Sequence, residues 1–363
     1  MASIRKRVLT DSQRTVWLVD YRDQDGNRRF RQFDRRRDAD AWLVQARSQV
    51  AAGTHTPEAR SITVGEAADA WLQRAELDGL EPATIRQYRS HVEHHIRPLI
   101  GAVKLSRLSA PAVQEFVDRL LAEGRSRPLA RKALASFRSI LGEAQRRGYV
   151  AQNVSREAKV NAAGKRHRAV LEIPDKAEVR ALLDGVEGRT RALIAVAVFA
   201  GLRSSELRGL RWQDVDLKGR LIHVRQRADE RGKIGSLKSE AARRSIPMFG
   251  LVATVLKERR LAAPPGSELV FCNGAGRVES HANIVHRALS PLQDRLGLPR
   301  RGLHAFRHFY ASLLVDQGFG PRQVMGLMGH SSIALTMNTY VHLFKDDESV
   351  HVKLAAAELA IVG

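Results

Sequence analysis

From residue 61 to about 155, apolar positions recur three and four apart, the spacing of helices that bury one face. Four such segments are predicted. Thr63 and Glu66 form a capping box opening EAADAWLQRAEL, and Pro82 stands in the first turn of PATIRQYRSHVEHHIRPLI. Pro111 opens APAVQEFVDRLLAEG, which Gly124 closes, and PLARKALASFRSILGEAQRRG ends at Gly148. Short connections make a compact bundle the expected arrangement. The first 55 residues follow a different pattern. TVWLVDY (15–21) and RRFRQF (28–33) read as strands around the hairpin signal Asp25-Gly26, and RKRVL near the start supplies a third. Asp38 is the expected N-cap of a helix ADAWLVQARSQVAA, stopped at Gly53. After 172 the chain is mainly helical, with strand-like runs around 221–247.

The expected fold class is therefore multidomain and mainly α with small β-sheets. A β-sheet-plus-helix module spans 1–55 and a helical bundle 61–155. VSREAKVNAAGKRHRAVL (154–171) has no apolar period and reads as a basic linker, assigned to 156–171. A mixed α+β domain with a C-terminal tail occupies 172–363. At 363 residues, two or three domains are expected. No apolar run reaches the ~18 residues that span a bilayer, and Cys272 is the one cysteine, which suits a reducing, cytoplasmic setting.

Charge changes the picture most. Sixty Lys and Arg against 39 Asp and Glu give a formal +21 and a pI near 10.9. A surplus of this size spread over the chain points to a long polyanion as partner, double-stranded DNA above all. A membrane surface would call for a basic amphipathic helix with an aromatic face, and none is found. Arg22, Arg28 and Arg29, with Arg5, Lys6, Arg7 and Arg31, stud the N-terminal strands as candidate DNA contacts. The competing reading is a solvated sheet edge kept soluble by charge. Arg86, Arg89, Arg131 and Lys132, with His91, His94 and His95, mark the outer faces of the bundle as candidate contacts of the same kind.

Candidate chemistry collects in the last domain. In ALIAVAVFAGLRSSELRGLRWQDVD an apolar helix stops at Gly201 and Arg203 follows in a tight corner, with Ser204 and Ser205 as ready caps of a helix carrying Glu206. Arg203 either meets an anion or pairs with Glu206 at i,i+3, and the stretch alone does not choose. Lys238 lies near a hairpin tip, where it can reach a site or simply guard an edge strand, and Lys233 is close by. In LHAFRHFYASLLVDQG, His304, Arg307 and His308 share one helical face opposite Phe306, Tyr310, Leu313 and Leu314. The position after His304 is Ala305, not the Glu of a zinc-binding H-E-x-x-H helix, and Arg307 repels a cation, so anion binding is favoured and no metal is expected. FGPRQVMGLMGH then ends at Gly329 with His330 in the turn, and SSIALTMNTY makes a short helix reaching Tyr340.

AGLRSSEL, the Lys of SLKSEAARRSIP, the HAFRH box, LMGH and NTYVH, in this order, resemble the signature set of the tyrosine recombinases, the phage integrase family. The bundle resembles that family's core-site-binding domain. VDYRDQDGNRR and DADAWL resemble the arm-site-binding module of integrases from phages and integrative elements. The resemblance implies a site-specific recombinase that cleaves and rejoins DNA through a 3′-phosphotyrosine. Tyr340 would be the nucleophile, Arg203 and Arg307 would hold the non-bridging oxygens, His304 and His330 would donate hydrogen bonds and pass protons, and Lys238 would protonate the leaving 5′ oxygen. Glu206 and His308 would orient these groups. The family further implies a homotetramer on core and arm sites, Holliday-junction strand exchange, and accessory bending or directionality proteins as further partners. No cofactor is called for: protein cations replace a divalent metal, and no phosphate-binding G-x-x-x-x-G-K-[ST] loop is present. Two alternatives stand beside this reading: a type IB topoisomerase, which forms the same kind of adduct, and a non-catalytic architectural DNA-binding protein, which has no need of the whole set.

Overall fold

The computed structural model describes residues 2–9, 14–23, 26–51, 55, 61–161 and 173–340. Asp25 of the expected hairpin, Gly53 as the expected helix stop, most of the basic linker and the C-terminal tail lie outside the described residues. The chain divides into two compact units, 1–166 and 167–363.

In the first unit, strands β1 (Ser3–Val8), β2 (Thr15–Arg22) and β3 (Arg28–Phe33) form an antiparallel sheet in sequence order. Its inward residues Val19 and Tyr21 pack with Ala39 and Leu43 of helix α1 (Arg36–Ala51). That helix begins before the expected cap. Asp38 sits inside its first turn, where a carboxylate still favours the positive end of the helix dipole.

The bundle follows as α2 (Val64–Leu77), α3 (Pro82–His91), α4 (Arg97–Ile100), α5 (Ala110–Ala122) and α6 (Arg127–Arg146). Thr63 and Glu66 make the capping box in full, Glu66 accepting from the Thr63 N–H at 2.7 Å. Pro98 cannot donate a backbone bond, and just before it the helix widens into a π turn over Val92–Ile96, with the Arg97 N–H reaching Val92 O. The extra residue re-phases the helix. His91 and His95, expected on an outer face, are buried, and His91 Nδ1 is hydrogen-bonded to Ser136 Oγ at 2.8 Å. The core of the bundle is Trp71, Ile96, Phe116, Phe137 and Ile140 with their neighbours.

In the second unit, α7 (Lys176–Asp184) leads into α8 (Gly188–Phe199). Residues Ala192–Val198 of α8 are all buried, as a helix apolar on every side must be. At about 1.5–3 kcal/mol for each large side chain removed from water, α8 anchors this unit, packing against the helices Gly250–Leu261 and Leu303–Asp316. A short α9 (Ser204–Arg208) follows, then β4 (Val215–Asp216), β5 (Leu221–Val224), β6 (Arg227–Ala228), β7 (Ile234–Gly235) and β8 (Arg244–Pro247). β4, β5 and β8 make one antiparallel sheet, while β6 and β7 make a separate hairpin. The remaining regular elements are helices: α10 (Gly250–Leu261), α11 (His281–Asn283), α12 (Ser290–Arg295), α13 (Leu303–Asp316), α14 (Pro321–Met328) and α15 (Ile333–Tyr340). No helix among the described residues is long and apolar enough to cross a membrane.

Candidate active site

Two glycines shape the centre of the second unit. Gly201, at φ +57°, turns the chain between α8 and α9, and a Cβ there would lie 2.2 Å from Tyr310 Cδ1. Gly329, at φ +61°, ends α14 in the left-handed conformation. Both turns aim carbonyl groups inward. Arg307, on α13 and 2% exposed, donates through Nη1 to Gly201 O at 2.6 Å and through Nη2 to Met328 O at 2.5 Å. Arg203, on the corner before α9, donates through Nη2 to Gly329 O at 2.5 Å and through Nη1 to Glu206 Oε1 at 2.6 Å. Glu206 Oε2 also accepts from the Arg203 backbone N–H at 3.0 Å. Ser204 and Ser205 lie within the first turn of α9, so this backbone bond from Arg203 to Glu206 opens the helix where a serine cap was expected.

The two arginines are thus brought together, in different electrostatic circumstances. Arg203 has the carboxylate of Glu206, which its two cationic neighbours hold ionised: Arg244 foremost, then Arg203, against the opposing effect of burial. Among the described residues, the hydrogen-bond partners of Arg307 are the neutral carbonyls of Gly201 and Met328. Burial, then the nearby charges of Arg203 and Arg244, push its pKa down to about 9. A buried cation with no bonded counter-ion is costly, and an anion arriving between Arg203 and Arg307 would relieve that cost.

Tyr340 closes α15 and is 1% exposed. Its hydroxyl is hydrogen-bonded to His308 Nδ1 at 2.7 Å, and its ring lies parallel to that of His330, with centroids 6.4 Å apart and planes 7° apart. Burial pushes the phenol pKa up to about 12, with Arg307 opposing. His308 and His330 are both driven down to about 4, chiefly by burial and then by cationic or imidazole neighbours, so both are neutral at pH 7. His330 Nδ1 is hydrogen-bonded to Thr336 Oγ1 at 2.8 Å. His304 is more exposed and packs edge-on against His308 with centroids 4.5 Å apart; burial, Arg307 and Arg203 lower its pKa.

Lys238 lies on a different element from the tip at which it was expected. The tip of the β6–β7 hairpin is the turn Asp229–Lys233, where Asp229 Oδ1 accepts from the N–H groups of Arg231 and Lys233 at 2.8 Å each. Lys238 follows β7, in the connection to β8, with its side chain exposed. Lys233 is the lysine beside the tip. The candidate DNA contacts divide similarly. Arg22, Arg86, Arg131 and Lys132 are exposed. Arg28 and Arg89 are exposed as well; Arg28 pairs with Asp20 at 2.5 Å, Arg29 with Asp23 at 2.8 Å and Arg89 with Glu76 at 2.7 Å, while Arg22 donates to Gly26 O at 2.8 Å. No group of three or more acidic, His or Cys side chains that could hold a metal occurs among the described residues.

Arg244 escaped the sequence reading. The alternation of β8 contained the signal, because Arg244 and the fully buried Ile246 share the inward face. The carbonyls of Gly201, Met328 and Gly329 were also missed, since backbone acceptors leave no mark in side-chain motifs.

The phage integrase family matches residues 173–347, and the phage integrase central domain matches 64–161. An integrase of Streptomyces ambofaciens is 30% identical over 309 residues, covering 77% of this chain and 76% of that protein. The chain belongs to the phage integrase family. It is a tyrosine site-specific recombinase. In fold, this integrase is similar to the Tn1549 transposon integrase in complex with circular intermediate DNA, with a TM-score of 0.69 at 19% identity, covering 82% of this chain and all of that one. It is likewise similar to a lambda integrase tetramer bound to a Holliday junction, with a TM-score of 0.59 at 17% identity, covering 90% of this chain and 95% of that one.

Proposed function

We propose that this recombinase integrates or excises a mobile element by using Tyr340 as the nucleophile on a DNA phosphodiester, within its own chain's site. The observation that carries the reading is Arg307: a buried guanidinium whose hydrogen-bond partners among the described residues are carbonyls, next to Arg203 and on the helix that holds the partner of the Tyr340 hydroxyl. The scissile phosphate supplies the missing anion. Arg203 and Arg307 meet its non-bridging oxygens and stabilise the charge that grows as the fifth oxygen approaches phosphorus.

Tyr340 Oη attacks phosphorus, the P–O5′ bond breaks, and the DNA 3′ end is left as a phosphotyrosine. Ordinary solution chemistry leaves about one phenol in a thousand ionised at neutral pH, and burial here suppresses ionisation further. The proton must therefore leave as the bond forms. His308 holds the hydroxyl in line, while His304 and His330 pass the proton and donate to the phosphate. Lys238, or Lys233 in its place, protonates the departing 5′ oxygen. Attack by another strand's 5′-hydroxyl reverses the step without ATP, because the phosphodiester bond energy is retained in the adduct.

Double-stranded DNA is the partner and a homotetramer on two duplexes is the working assembly. The similarity to integrases described bound to circular intermediate DNA and to a Holliday junction supports both. Residues 1–55 are assigned to arm sites, 61–155 to core sites, 156–171 to a basic linker and 172–363 to catalysis with a C-terminal tail. Arg22, Arg86, Arg131 and Lys132 are the foremost phosphate contacts; Arg28, Arg29 and Arg89 contribute where DNA competes for their carboxylates. Accessory bending or directionality proteins complete the assembly, and the setting is the bacterial cytoplasm. The test is a denaturing gel after incubation with a nicked duplex recovered from a random-sequence pool by binding to the wild-type protein. Wild type forms a covalent protein–DNA band and Tyr340→Phe forms none; a band that persists in Tyr340→Phe removes Tyr340 from the role.

A further inference from the structure

Arg244, the first residue of β8, has a side chain only 6% exposed, and all of its nitrogens are engaged. Its Nε donates to Leu327 O at 2.8 Å, Nη1 to Ala242 O at 2.9 Å and Nη2 to Glu206 Oε2 at 2.9 Å. Each acceptor belongs to a segment that bears a proposed catalytic group. Glu206 lies on α9 and holds Arg203 through both a side-chain and a backbone bond. Leu327 immediately precedes Met328 and Gly329, whose carbonyls receive Arg307 and Arg203, and His330 comes next. Ala242 is four residues beyond Lys238 in the same connection.

Two physical consequences follow. The first concerns charge. Glu206 is a single buried carboxylate placed between two guanidiniums, so the group of three carries a net positive charge. Without Arg244, Glu206 has Arg203 as its remaining ionic partner, and the attraction that should fall on a phosphate is spent on an internal pair. The second concerns geometry. The last turn of α14 approaches Arg244 so closely that a Cβ at Gly329 would stand 2.8 Å from Nη1. The turn that places His330 is therefore packed on this guanidinium as well as bonded to it.

We infer that Arg244 is a positioning residue of the recombination reaction: it shares Glu206 so that Arg203 stays available to the phosphate, and it fixes the α14 turn that presents His330, without touching DNA itself. The inference rests on the site assignment proposed above.

The experiment measures single-turnover adduct formation on the nicked duplex, alongside DNA affinity and thermal melting, for wild type, Arg244→Met, Arg244→Lys, Glu206→Gln and the Arg244→Met/Glu206→Gln pair. A catalytic group displaced by about 1 Å loses about 100-fold in rate, and that is the loss expected for Arg244→Met at unchanged DNA affinity. The double variant is expected to be no slower than Arg244→Met, because a neutral amide no longer captures Arg203. Arg244→Lys restores a charge opposite Glu206 but cannot reach three acceptors, so its rate falls between those of Arg244→Met and wild type; it carries the test where Arg244→Met does not fold. Wild-type rates in both Arg244 variants would overturn the inference. So would losses in the two single variants that simply multiply in the double, or a rate loss matched by an equal loss of DNA affinity. Failure of the underlying reading looks different: wild type itself then forms no adduct, or Tyr340→Phe still does, and the inference falls with it.

Discussion

The proposed chemistry depends on side chains whose ionisation is set by burial. His308 and His330 both fall to about 4, against an ordinary imidazole near 6.5. Between these values the unfolded chain binds protons that the folded chain refuses, so stability is full above about pH 6.5 and declines as pH falls toward 4. Tyr340 and Tyr310, raised to about 12 by burial, act at the other end. The folded state keeps protons there that the unfolded state releases from about pH 10 upward, and stability declines as pH rises from 10 to 12. Thermal melting across pH checks this, with His330→Asn expected to flatten the acid limb relative to wild type; parallel acid limbs would contradict the buried neutral His330. Candidates for that chemistry were legible in the sequence because Arg203, His304, Arg307, His308, His330 and Tyr340 stand on short, recognisable motifs. Their electrostatic states were not. Burial depends on packing between segments more than 100 residues apart, such as Arg203 against Gly329.

Short elements ending at glycines determine where those side chains point. Gly201→Ala must pay both for a left-handed backbone, about 1–2 kcal/mol, and for a Cβ thrust into the Tyr310 ring, about 1–3 kcal/mol. A loss near 3 kcal/mol in urea unfolding is expected, together with loss of adduct formation, because Gly201 O is a partner of Arg307. A change below about 0.5 kcal/mol, the size of an ordinary surface substitution, would show that the turn tolerates a side chain. Helices with strong caps, such as that opened by Thr63 and Glu66, were readable from the chain to within a residue or two. The π turn before Pro98 was not, because apolar spacing alone does not reveal one extra residue inside a helix. The same limit explains Lys238: hairpin turn chemistry at Asp229 sets the tip, and counting from strand-like runs placed it too late.

At the level of the whole chain, a formal +21 makes affinity for DNA an ionic-strength-dependent quantity. If six to ten phosphates are neutralised, affinity drops about 10³- to 10⁵-fold between about 50 and 200 mM salt, with log affinity linear in log salt. A binding isotherm insensitive to salt would contradict a role for the exposed arginines. The mainly helical, multidomain character was legible at this scale, because bundle and strand periodicities differ sharply along the chain. The separate hairpin β6–β7 and its distance in sequence from β8 were less so, because two-residue strands leave almost no pattern. The central claim is that Tyr340 carries the DNA strand between cleavage and rejoining. Nuclease digestion of the trapped protein–DNA complex followed by peptide mass spectrometry addresses it most directly. The expected product is a nucleotide joined through its 3′ phosphate to the peptide containing Tyr340; a nucleotide on another residue, or one joined through a 5′ phosphate, would remove Tyr340 from that role.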